Sequence, residues 1–378
     1  MRMTEKEVME KFMELPGRYN PLRFSELKEG VVTIKGFQPD AITAISLEDG
    51  PSYAALIEFV PVANPKSIRL KCRMLVDYIC ELGQEKVGLS IVIAPFIGET
   101  QAEILKEQGV SWLDLSGNMM INVPGRIYIE RTGNKNKFPD SAPIKKIFQG
   151  TSSLVIRALL LKTEGFSSQY EIVDFINSRN ASITTATVSR VLKSLEEELL
   201  INKTKSSISV INREKLLDKL TDGYTNSSKR KGVKKYKLSA KDVKKVFCAL
   251  FERGVDYAAC GFYAAQIKGL AVTTQATILI KNYEEAKKAF NLSNVKVEPD
   301  SEFGNLTLVE TKDNCVWFNI KKVAPLIVAP LITVTVDDIE LYLEMLVDTP
   351  RGPRIAELLR KRILGGQSDG RQDISTIV

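Results

Sequence analysis

The residues best suited to chemistry lie on a predicted helix near the middle of the chain, 184–196. Its apolar residues recur at i, i+3, i+4 and i+7, which predicts one buried face: Val188, Val191, Leu192 and Leu195. The opposite face carries small hydroxylated side chains and two cations, which can donate hydrogen bonds to base edges or phosphates. We therefore take this face as a candidate DNA contact: Thr184, Thr185, Thr187, Ser189, Arg190 and Lys193.

The elements around this helix predict how it is presented. Apolar stripes predict two preceding helices, 152–162 and 168–178, and two short strands follow around a polar turn at 201–211. Three helices followed by a two-stranded wing are the element order of a winged helix-turn-helix, whose third helix enters the major groove. The start of the second helix and the wing add four candidate DNA contacts: Ser168, Gln169, Lys203 and Lys205. The competing interpretation is a three-helix bundle that binds protein.

The positive charge of the chain is concentrated in one run. The net charge is +7 over 378 residues, yet nine basic residues and one Asp fall within 229–245. Such clustering favours a polyanionic partner, although a solvated linker is the competing interpretation. The start of the run adds three candidate DNA contacts: Lys229, Arg230 and Lys231.

The chain has no histidine. This absence excludes Ser-His-Asp and Cys-His nucleophilic systems, zinc sites that use histidine, and nucleases with a histidine general base. The five cysteines include no CxxC pair, which favours reduced thiols in the core over a disulfide framework or a metal site. Any remaining catalysis must use carboxylates, Lys, Tyr or Cys.

The first part of the chain mixes predicted helices and strands. We predict helices at 4–15, 67–81 and 99–108, with strands at 31–34, 53–60, 88–94 and 111–115 and a hairpin at 119–131. An apolar strand between helices is typical of an α/β sheet layer. The motif Asp114-Leu-Ser-Gly-Asn118 is best explained as a turn that Asp114 caps.

The last part is also mixed. We predict helices at 240–253, 257–267, 336–346 and 354–362, and strands at 276–280 and 307–310. Asp337 and Asp338 fall at a helix start, where acidic side chains cap the first turn. The polar, glycine-rich end after residue 364 is predicted to be disordered.

Three stretches carry a resemblance to a known group of proteins. They are 94–100 together with 109–118, the predicted winged helix at 151–212, and the ending 341–357. Together they resemble bacterial regulators related to the AbiEi-type antitoxins of type IV toxin–antitoxin systems. The resemblance implies a repressor of its own operon that neutralises a neighbouring toxin or serves in phage defence. In AbiEi proteins the winged helix comes first, whereas here it is central.

The first part also resembles nucleases of the PD-(D/E)XK class. Pro39-Asp40 precedes the strand that carries Glu58, and in such enzymes two carboxylates bind Mg²⁺ while a lysine two residues after the second acid orients water. Here that position is Val60, and the following helix offers three replacement cations: Lys66, Arg69 and Lys71. We interpret the domain as a degenerate nuclease fold that binds the DNA backbone or mediates dimerisation. The alternative is an Mg²⁺-dependent endonuclease that uses Asp40 and Glu58.

The last part resembles nucleotidyltransferases. The segment 259–265 stands where those enzymes have a phosphate-binding turn, but the following strand, 274–280, has no acid for a metal pair. Without two carboxylates, two-metal phosphoryl transfer is not expected. We interpret this domain as structural or partner-binding.

The sequence thus predicts a mixed α+β, multidomain, soluble and cytoplasmic protein without a membrane span. The expected parts are a degenerate nuclease-like α/β domain, a winged helix-turn-helix, a basic linker, a nucleotidyltransferase-like α/β domain and a disordered tail: 1–140, 150–215, 216–237, 238–364 and 365–378. We expect a sequence-specific transcriptional regulator that binds double-stranded DNA without a cofactor. It would form a homodimer, because one small reading head covers few base pairs. A protein-binding antitoxin that never contacts DNA is a further alternative.

Overall fold

The structure is a computed structural model that describes 3–14, 16–28, 32–48, 50–83, 88–138, 145–226, 233–300, 302–323, 333–348 and 351–365. Contacts between residues divide the chain into two compact units, one of 1–144 with 194–199 and the other of 145–193 with 200–378. Both units combine helices with strands, which confirms the predicted mixed α+β class. None of the described helices is both long enough and apolar enough to span a membrane.

The first unit is built on a mixed sheet whose seven described strands lie side by side in chain order. The strands are β1 (Leu22–Phe24), β2 (Ala41–Leu47), β3 (Tyr53–Phe59), β4 (Leu89–Ala94), β5 (Ser111–Asp114), β6 (Met119–Val123) and β7 (Ile127–Arg131). Its helices are α1 (Glu5–Met13), α2 (Pro65–Leu82) and α3 (Glu99–Glu107). The strands β3, β4 and β5 are parallel and every other neighbouring pair is antiparallel. The carboxyl ends of the parallel strands therefore share one edge of the sheet.

The apolar residues of the central strands build a core on each face of this sheet. Ile91 and Ile93 of β4 belong to one buried cluster, whereas Val92 and Ala94 belong to the other. A strand buried on both faces reads as a continuous apolar run, as β4 does. The apolar stripe of α2 packs into the second cluster, which fixes the polar flank of that helix above β3.

The predicted strand at 31–34 is not observed in its described residues. Ile34 makes only an isolated antiparallel bridge to Phe37. Lys35 and Gly36 between them adopt positive φ angles of 49° and 80°, so the chain turns back at once. The β propensity of 31–34 predicted a strand, but the turn at Lys35 and Gly36 leaves too few residues to form one.

Three helices and a small antiparallel pair of strands follow in the chain; they belong to the second unit except for 194–199, at the end of the third helix, which group with the first unit. These elements are α4 (Ser153–Leu161), α5 (Gln169–Asn177), α6 (Thr185–Glu197), β8 (Ile201–Lys203), β9 (Ile208–Val210) and α7 (Arg213–Asn226). An isolated bridge joins Phe166, between α4 and α5, to Ile208 of β9. Gly165 has a φ of +83°, and a Cβ on it would lie 2.5 Å from the carbonyl oxygen of Ile208, so this approach requires glycine. The predicted order of elements in 152–211 is therefore observed.

A second sheet follows, with its described strands in the order β13, β10, β14, β12, β11, β16, β15. Their bounds are β10 (Lys234–Ala240), β11 (Tyr257–Ala259), β12 (Ala276–Ile280), β13 (Val297–Pro299), β14 (Leu306–Glu310), β15 (Lys321–Val323) and β16 (Thr333–Thr335). The helices are α8 (Val243–Glu252), α9 (Gly261–Ile267), α10 (Tyr283–Leu292), α11 (Asn314–Trp317), α12 (Asp338–Asp348) and α13 (Gly352–Leu364). The pairs β12–β14 and β11–β16 are parallel, whereas the others are antiparallel.

Two predictions in this region need correction. The predicted helix at 257–267 begins as strand β11, because 257–259 pair with β12, and the helix starts only at Gly261. The predicted basic linker at 216–237 is mostly regular structure, since α7 covers its start and β10 its end. Leu216, Leu217 and Leu220 are fully buried and give α7 an apolar stripe that the basic composition hid. Residues 227–232 and the predicted disordered tail beyond Gly365 lie outside the described residues.

A buried ion pair links α4 to α12. Arg157 Nη2 donates to Glu340 Oε2 at 2.7 Å, and both side chains are almost fully buried. Asp337 Oδ1 accepts from the backbone N–H of Glu340 at 2.7 Å, which confirms that Asp337 caps this helix. Burial raises the pKa of Asp337 to about 6, and its negative neighbour Glu340 acts in the same direction. The helices α4 and α12 therefore belong to one folded unit.

Candidate functional site

The helix α6 presents one apolar and one polar face, as predicted. Val188 and Val191 are fully buried, together with Leu192 and Leu195. Ser189, Arg190 and Lys193 are exposed. The periodicity of the sequence thus placed these three outward side chains correctly, whereas Thr185 and Thr187, predicted on the same face, are half-buried.

The two cations of this face have no ion partner among the described residues. The salt bridges of the described chain include neither Arg190 nor Lys193. An exposed guanidinium and an exposed ammonium are therefore free to pair with an external anion.

The hydroxyl groups at the start of α6 have structural roles. Thr184 Oγ1 accepts from the backbone N–H of Thr187 at 3.3 Å, as an N-cap does, and the two hydroxyl oxygens lie 3.1 Å apart. Thr185 is half-buried. Among the described hydroxylated residues that were predicted to contact DNA, Ser189 is the one that is exposed and makes no such structural hydrogen bond.

The other predicted contacts flank α6 in two groups. Ser168 Oγ accepts from Glu171 N at 3.2 Å and caps α5, whereas Gln169, its first residue, is half-buried. Lys203 ends β8 and Lys205 lies in the turn to β9, and both are exposed. The structure therefore provides two exposed lysines on the two-stranded segment, while Ser168 serves the fold.

The basic run is only partly described. Lys229, Arg230 and Lys231 lie outside the described residues. Further along the run, Lys234 and Lys235 are exposed on strand β10. This part of the positive charge is thus fixed on a sheet.

The structure brings the two predicted metal ligands of the first unit to one place. Asp40 directly precedes β2, and its Oδ2 accepts from the backbone N–H of Phe59, at the end of β3, at 2.7 Å. Glu58 is the neighbouring residue of β3, and its side chain is 1% exposed. Its Oε1 forms a salt bridge with Lys71 Nζ of α2. Of the three cations offered by α2, the structure thus selects Lys71.

Both carboxyl groups of this pair have raised pKa values, so their ionised forms are disfavoured. Burial raises the pKa of Glu58 to about 7, with smaller contributions from the negative charges of Asp40 and Glu5, while the hydrogen bond from Lys71 acts against the shift. Burial also raises the pKa of Asp40. The two carboxyl groups therefore compete for one lysine, and each would gain from a further cation.

The donors here suit a hard divalent cation. Glu58 Oε2 is buried without a hydrogen-bond partner, which leaves a carboxylate oxygen available beside Asp40. Oxygen ligands of this kind are those that Mg²⁺ prefers. No group of three or more His, Cys, Asp or Glu side chains among the described residues is arranged to hold a metal by itself. A cation would thus rely on these two acids and on oxygens from water or substrate.

Sequence reasoning missed Glu5, the third acid that acts on Glu58. It begins α1, whose capping residue Thr4 and acidic first turn gave only a helix signal. Nothing in the spacing between residues 5 and 58 indicates that they meet, because their approach depends on how α1 packs on the sheet.

The Asp114 motif is a turn, as predicted. Asp114 Oδ1 accepts from the backbone N–H groups of Ser116 and Asn118, both at 2.9 Å. Its Oδ2 accepts from Asn118 Nδ2 at 2.8 Å and from Ile97 N at 3.2 Å. Both carboxylate oxygens of Asp114 thus stabilise the loop by accepting hydrogen bonds.

In the second unit, the turn that resembles a phosphate-binding loop already holds a carboxylate. Gly261 adopts a φ of +58° at the start of α9, and its N–H donates to Glu344 Oε2 at 2.9 Å. An anion from a nucleotide would have to displace this glutamate. The geometry thus agrees with a structural role for this turn.

Comparisons with family models, with curated proteins and with solved structures find no match to this chain. The assignment of the two candidate sites, the outward face of α6 and the pair Asp40 and Glu58, therefore depends on their geometry alone.

Proposed function

We propose that this protein is a sequence-specific, double-stranded-DNA-binding transcriptional regulator, and that α4 to β9 form its winged helix-turn-helix. The observation that carries the proposal is the outward face of α6, where Arg190 and Lys193 are exposed and lack ion partners in the described chain. The bridge between Phe166 and Ile208 supports it, because it ties the segment before α5 to the two-stranded wing. A helix of this size fits the major groove of B-DNA.

In this proposal some residues recognise bases, others contact phosphates, and a third group stabilises the reading helix. Ser189 and Arg190 read base edges, since guanidinium groups pair bidentately with guanine and hydroxyls pair with several bases. Lys193, Lys203 and Lys205 contact phosphates, which adds affinity without sequence information. Thr184, Thr187 and Ser168 support the reading helix by capping and bonding within the motif.

The test is fluorescence anisotropy with a duplex from upstream of the protein's own gene and with a scrambled duplex, across a salt series. We expect tight binding to the upstream duplex and weak binding to the scrambled one, both weakened by salt. Equal binding to both duplexes would show that the protein contacts the DNA backbone without reading the base sequence. If neither duplex binds, the proposed DNA-binding function is wrong, and an antitoxin that binds only protein is favoured.

A second candidate function is metal-dependent cleavage of DNA in the first unit. The observation that favours it is the salt bridge between Lys71 and Glu58, which supplies the lysine that the sequence lacks at Val60. Asp40 accepts a hydrogen bond from the backbone of Phe59, the residue after Glu58, so the second predicted ligand lies beside this pair. Asp40 and Glu58 would hold Mg²⁺, which when bound stabilises negative charge on the scissile phosphate. Lys71 would orient the attacking water.

Nicking of supercoiled plasmid with Mg²⁺ or Mn²⁺ tests this candidate. Activity should disappear in Asp40→Asn and Lys71→Met and persist in Asp77→Asn, which neutralises an exposed acid on the same helix as Lys71. Absence of cleavage with either metal would leave the first unit as a non-catalytic domain. That result would not affect the proposal for the winged helix.

Two partners remain: the small size of one reading head favours a second copy of this chain, and the resemblance to AbiEi-type regulators implies a toxin. We propose a homodimer on an inverted repeat, and a cognate toxin as the protein partner. Sedimentation of the protein with and without the upstream duplex tests the dimer. If the protein acts only by binding a toxin, Arg190→Glu will leave toxin neutralisation unchanged.

A further inference from the structure

The turn that leads into α6 is held by a residue from the last part of the chain. The backbone N–H of Asn319 donates to the carbonyl oxygen of Arg179 at 2.9 Å. Arg179 follows the end of α5, whereas Asn319 lies between α11 and β15. Both residues belong to the second unit. This hydrogen bond therefore joins the turn between α5 and α6 to the part of the chain that carries the second sheet.

The acceptor lies where the chain changes direction. The peptide bond between Arg179 and Asn180 is planar, so a hydrogen bond to its oxygen restrains the ψ angle of Arg179 and the φ angle of Asn180 together. Asn180 has a positive φ of 58°, which few residues other than glycine adopt. Three residues later the chain reaches Thr184, the N-cap of α6. The orientation of this one peptide therefore influences the direction in which α6 begins.

Two hydrogen bonds hold the two ends of this turn. At the end next to α6, Asn177 Oδ1 accepts from the backbone N–H of Ile183 at 2.9 Å. At the end next to α5, the oxygen of Arg179 accepts from Asn319. The first bond forms within the helix-turn-helix segment, whereas the second depends on the last part of the chain.

The donor is itself firmly held. Asn319 is 6% exposed and adopts a left-handed φ of 55°. Phe318 before it is fully buried, and the indole N–H of Trp317 donates to Thr311 O at 3.0 Å. Asn319 Nδ2 also donates to Asp337 Oδ2, the cap of α12, at 3.5 Å. These contacts fix the N–H of Asn319 within the second unit.

We propose that Asn319 is a positioning residue for sequence reading, which holds the turn before α6 and so sets the angle at which Ser189 and Arg190 meet base edges. The inference rests on the proposed DNA-binding function of α6. It gives the last part of the chain, which the sequence alone predicts to be structural or partner-binding, a direct part in recognition of DNA.

The two kinds of DNA contact differ in their sensitivity to the angle of α6. Hydrogen bonds from Arg190 to a base edge weaken steeply when donor and acceptor are misaligned. A lysine contact to phosphate tolerates a rotation, because the ammonium group is a point charge on a flexible stem. Loss of the Asn319 contact therefore lowers the preference for one sequence more than it lowers the affinity for any duplex.

Three single variants test this contact. Asn319→Val should move the N–H away from Arg179, because a β-branched residue is strained at positive φ. Asn319→Gly adopts the same φ without strain and keeps the N–H. Asn294→Val is the matched control, since Asn294 has a φ of 51° and lies exposed in the loop after α10.

The quantity to measure is the ratio of the affinities for the upstream and the scrambled duplex. We expect Asn319→Val to lower this ratio about tenfold while the affinity for the scrambled duplex stays unchanged. Asn319→Gly and Asn294→Val should keep the ratio within about twofold. If Asn319→Val does not fold, Asn319→Ala makes the same change with less strain. An undiminished ratio in the Val or Ala variant, or an equal loss in either Asn319→Gly or Asn294→Val, would overturn the proposal.

Hydrogen exchange in the absence of DNA separates this inference from the proposed function. The backbone amides of 180–187 should exchange several-fold faster in Asn319→Val than in the natural protein, and at the natural rate in Asn294→Val. If the natural protein prefers neither duplex, the proposed function is wrong, yet faster exchange would still show that Asn319 holds the turn. Unchanged exchange of 180–187 in Asn319→Val would overturn the inference whatever the DNA measurements show.

Discussion

The outward face of α6 and the Glu58 site place charge in opposite environments. On α6, Arg190 and Lys193 are exposed and have no described ion partner, so their charges are hydrated and cost the fold little. Glu58 is buried, and the positive charge of Lys71 acts on Asp40 as well as on Glu58. The ionised form of Glu58 therefore costs free energy even though it is paired. The surface face thus leaves two cations available to an anionic partner, whereas the buried site lacks positive charge.

This difference separates binding from stability at the two sites. Changes on the α6 face should affect DNA affinity and leave folding almost unchanged. Changes at Glu58 should alter folding and its pH dependence whether or not the site is catalytic.

Replacing Lys71 with Met should destabilise the first unit by about 2–3 kcal/mol at pH 8. Breaking a fully buried pair costs about 3–5 kcal/mol, but Lys71 is 28% exposed and Glu58 can take up a proton, which lowers the loss. Urea unfolding measures it, with Lys66→Met as the matched comparison, because Lys66 lies on the same helix and its salt bridge with Glu196 is at the surface. Equal stability of the two variants would show that Glu58 needs no partner.

The pH dependence of unfolding should identify Glu58. Its pKa is about 7 in the folded protein and near 4.5 when unfolded, so the folded state holds the extra proton between these values. Stability should therefore fall as pH rises from about 4.5 to about 7, by up to about 1.4 kcal/mol per pH unit, and level off above that. In Glu58→Gln this part of the slope should disappear. An unchanged slope would assign the effect to other buried acids.

Replacing Thr184 with Ala should cost about 1 kcal/mol of stability, because the variant loses the N-cap of α6. Arg190→Ala on the same helix should change stability by no more than about 0.5 kcal/mol. Thermal unfolding of both variants separates the supporting residue from the reading residue. A large loss of stability in Arg190→Ala would mean that this side chain serves the fold.

Lys203→Ala with Lys205→Ala should weaken DNA binding several-fold for any duplex. Each lost phosphate contact lowers the slope of log affinity against log salt by about 0.9. The ratio between upstream and scrambled duplexes should stay the same. Lys287→Ala with Lys288→Ala, two exposed lysines of α10, should leave the slope unchanged. If both pairs reduce it equally, the protein binds DNA through diffuse charge.

Local pattern was enough to predict the α6 face, and tertiary structure was needed for the Glu58 site. Val188 and Val191 define a buried stripe by spacing alone, which places Arg190 outside it. Lys71 lies beside the buried Cys72 on α2, so its position at the edge of that stripe was compatible with reaching β3. Lys66 and Arg69 were equally compatible in sequence, and only the packing of α2 on the sheet decides between them.

The same limit explains the errors in the fold. The buried strand β4 was predicted from its apolar run, whereas β2 was missed although its residues alternate between buried and half-buried. In α7 the buried leucines lie among lysines and acids, and the charge of the segment dominated its interpretation. The strand β11 has three residues, and its partner strands β12 and β16 come later in the chain.

The role of α6 as the reading helix is tested by the affinity of Arg190→Glu and Arg354→Glu for the upstream duplex at one salt concentration. Arg354 is an exposed arginine on α13 without a described ion partner, so the two variants make the same change of charge on a helix. We predict that Arg190→Glu lowers affinity for the upstream duplex on the order of 100-fold and removes the preference over the scrambled duplex, while Arg354→Glu changes neither by more than about twofold. Equal effects of the two variants, or undiminished preference in Arg190→Glu, would contradict the assignment of α6 as the reading helix.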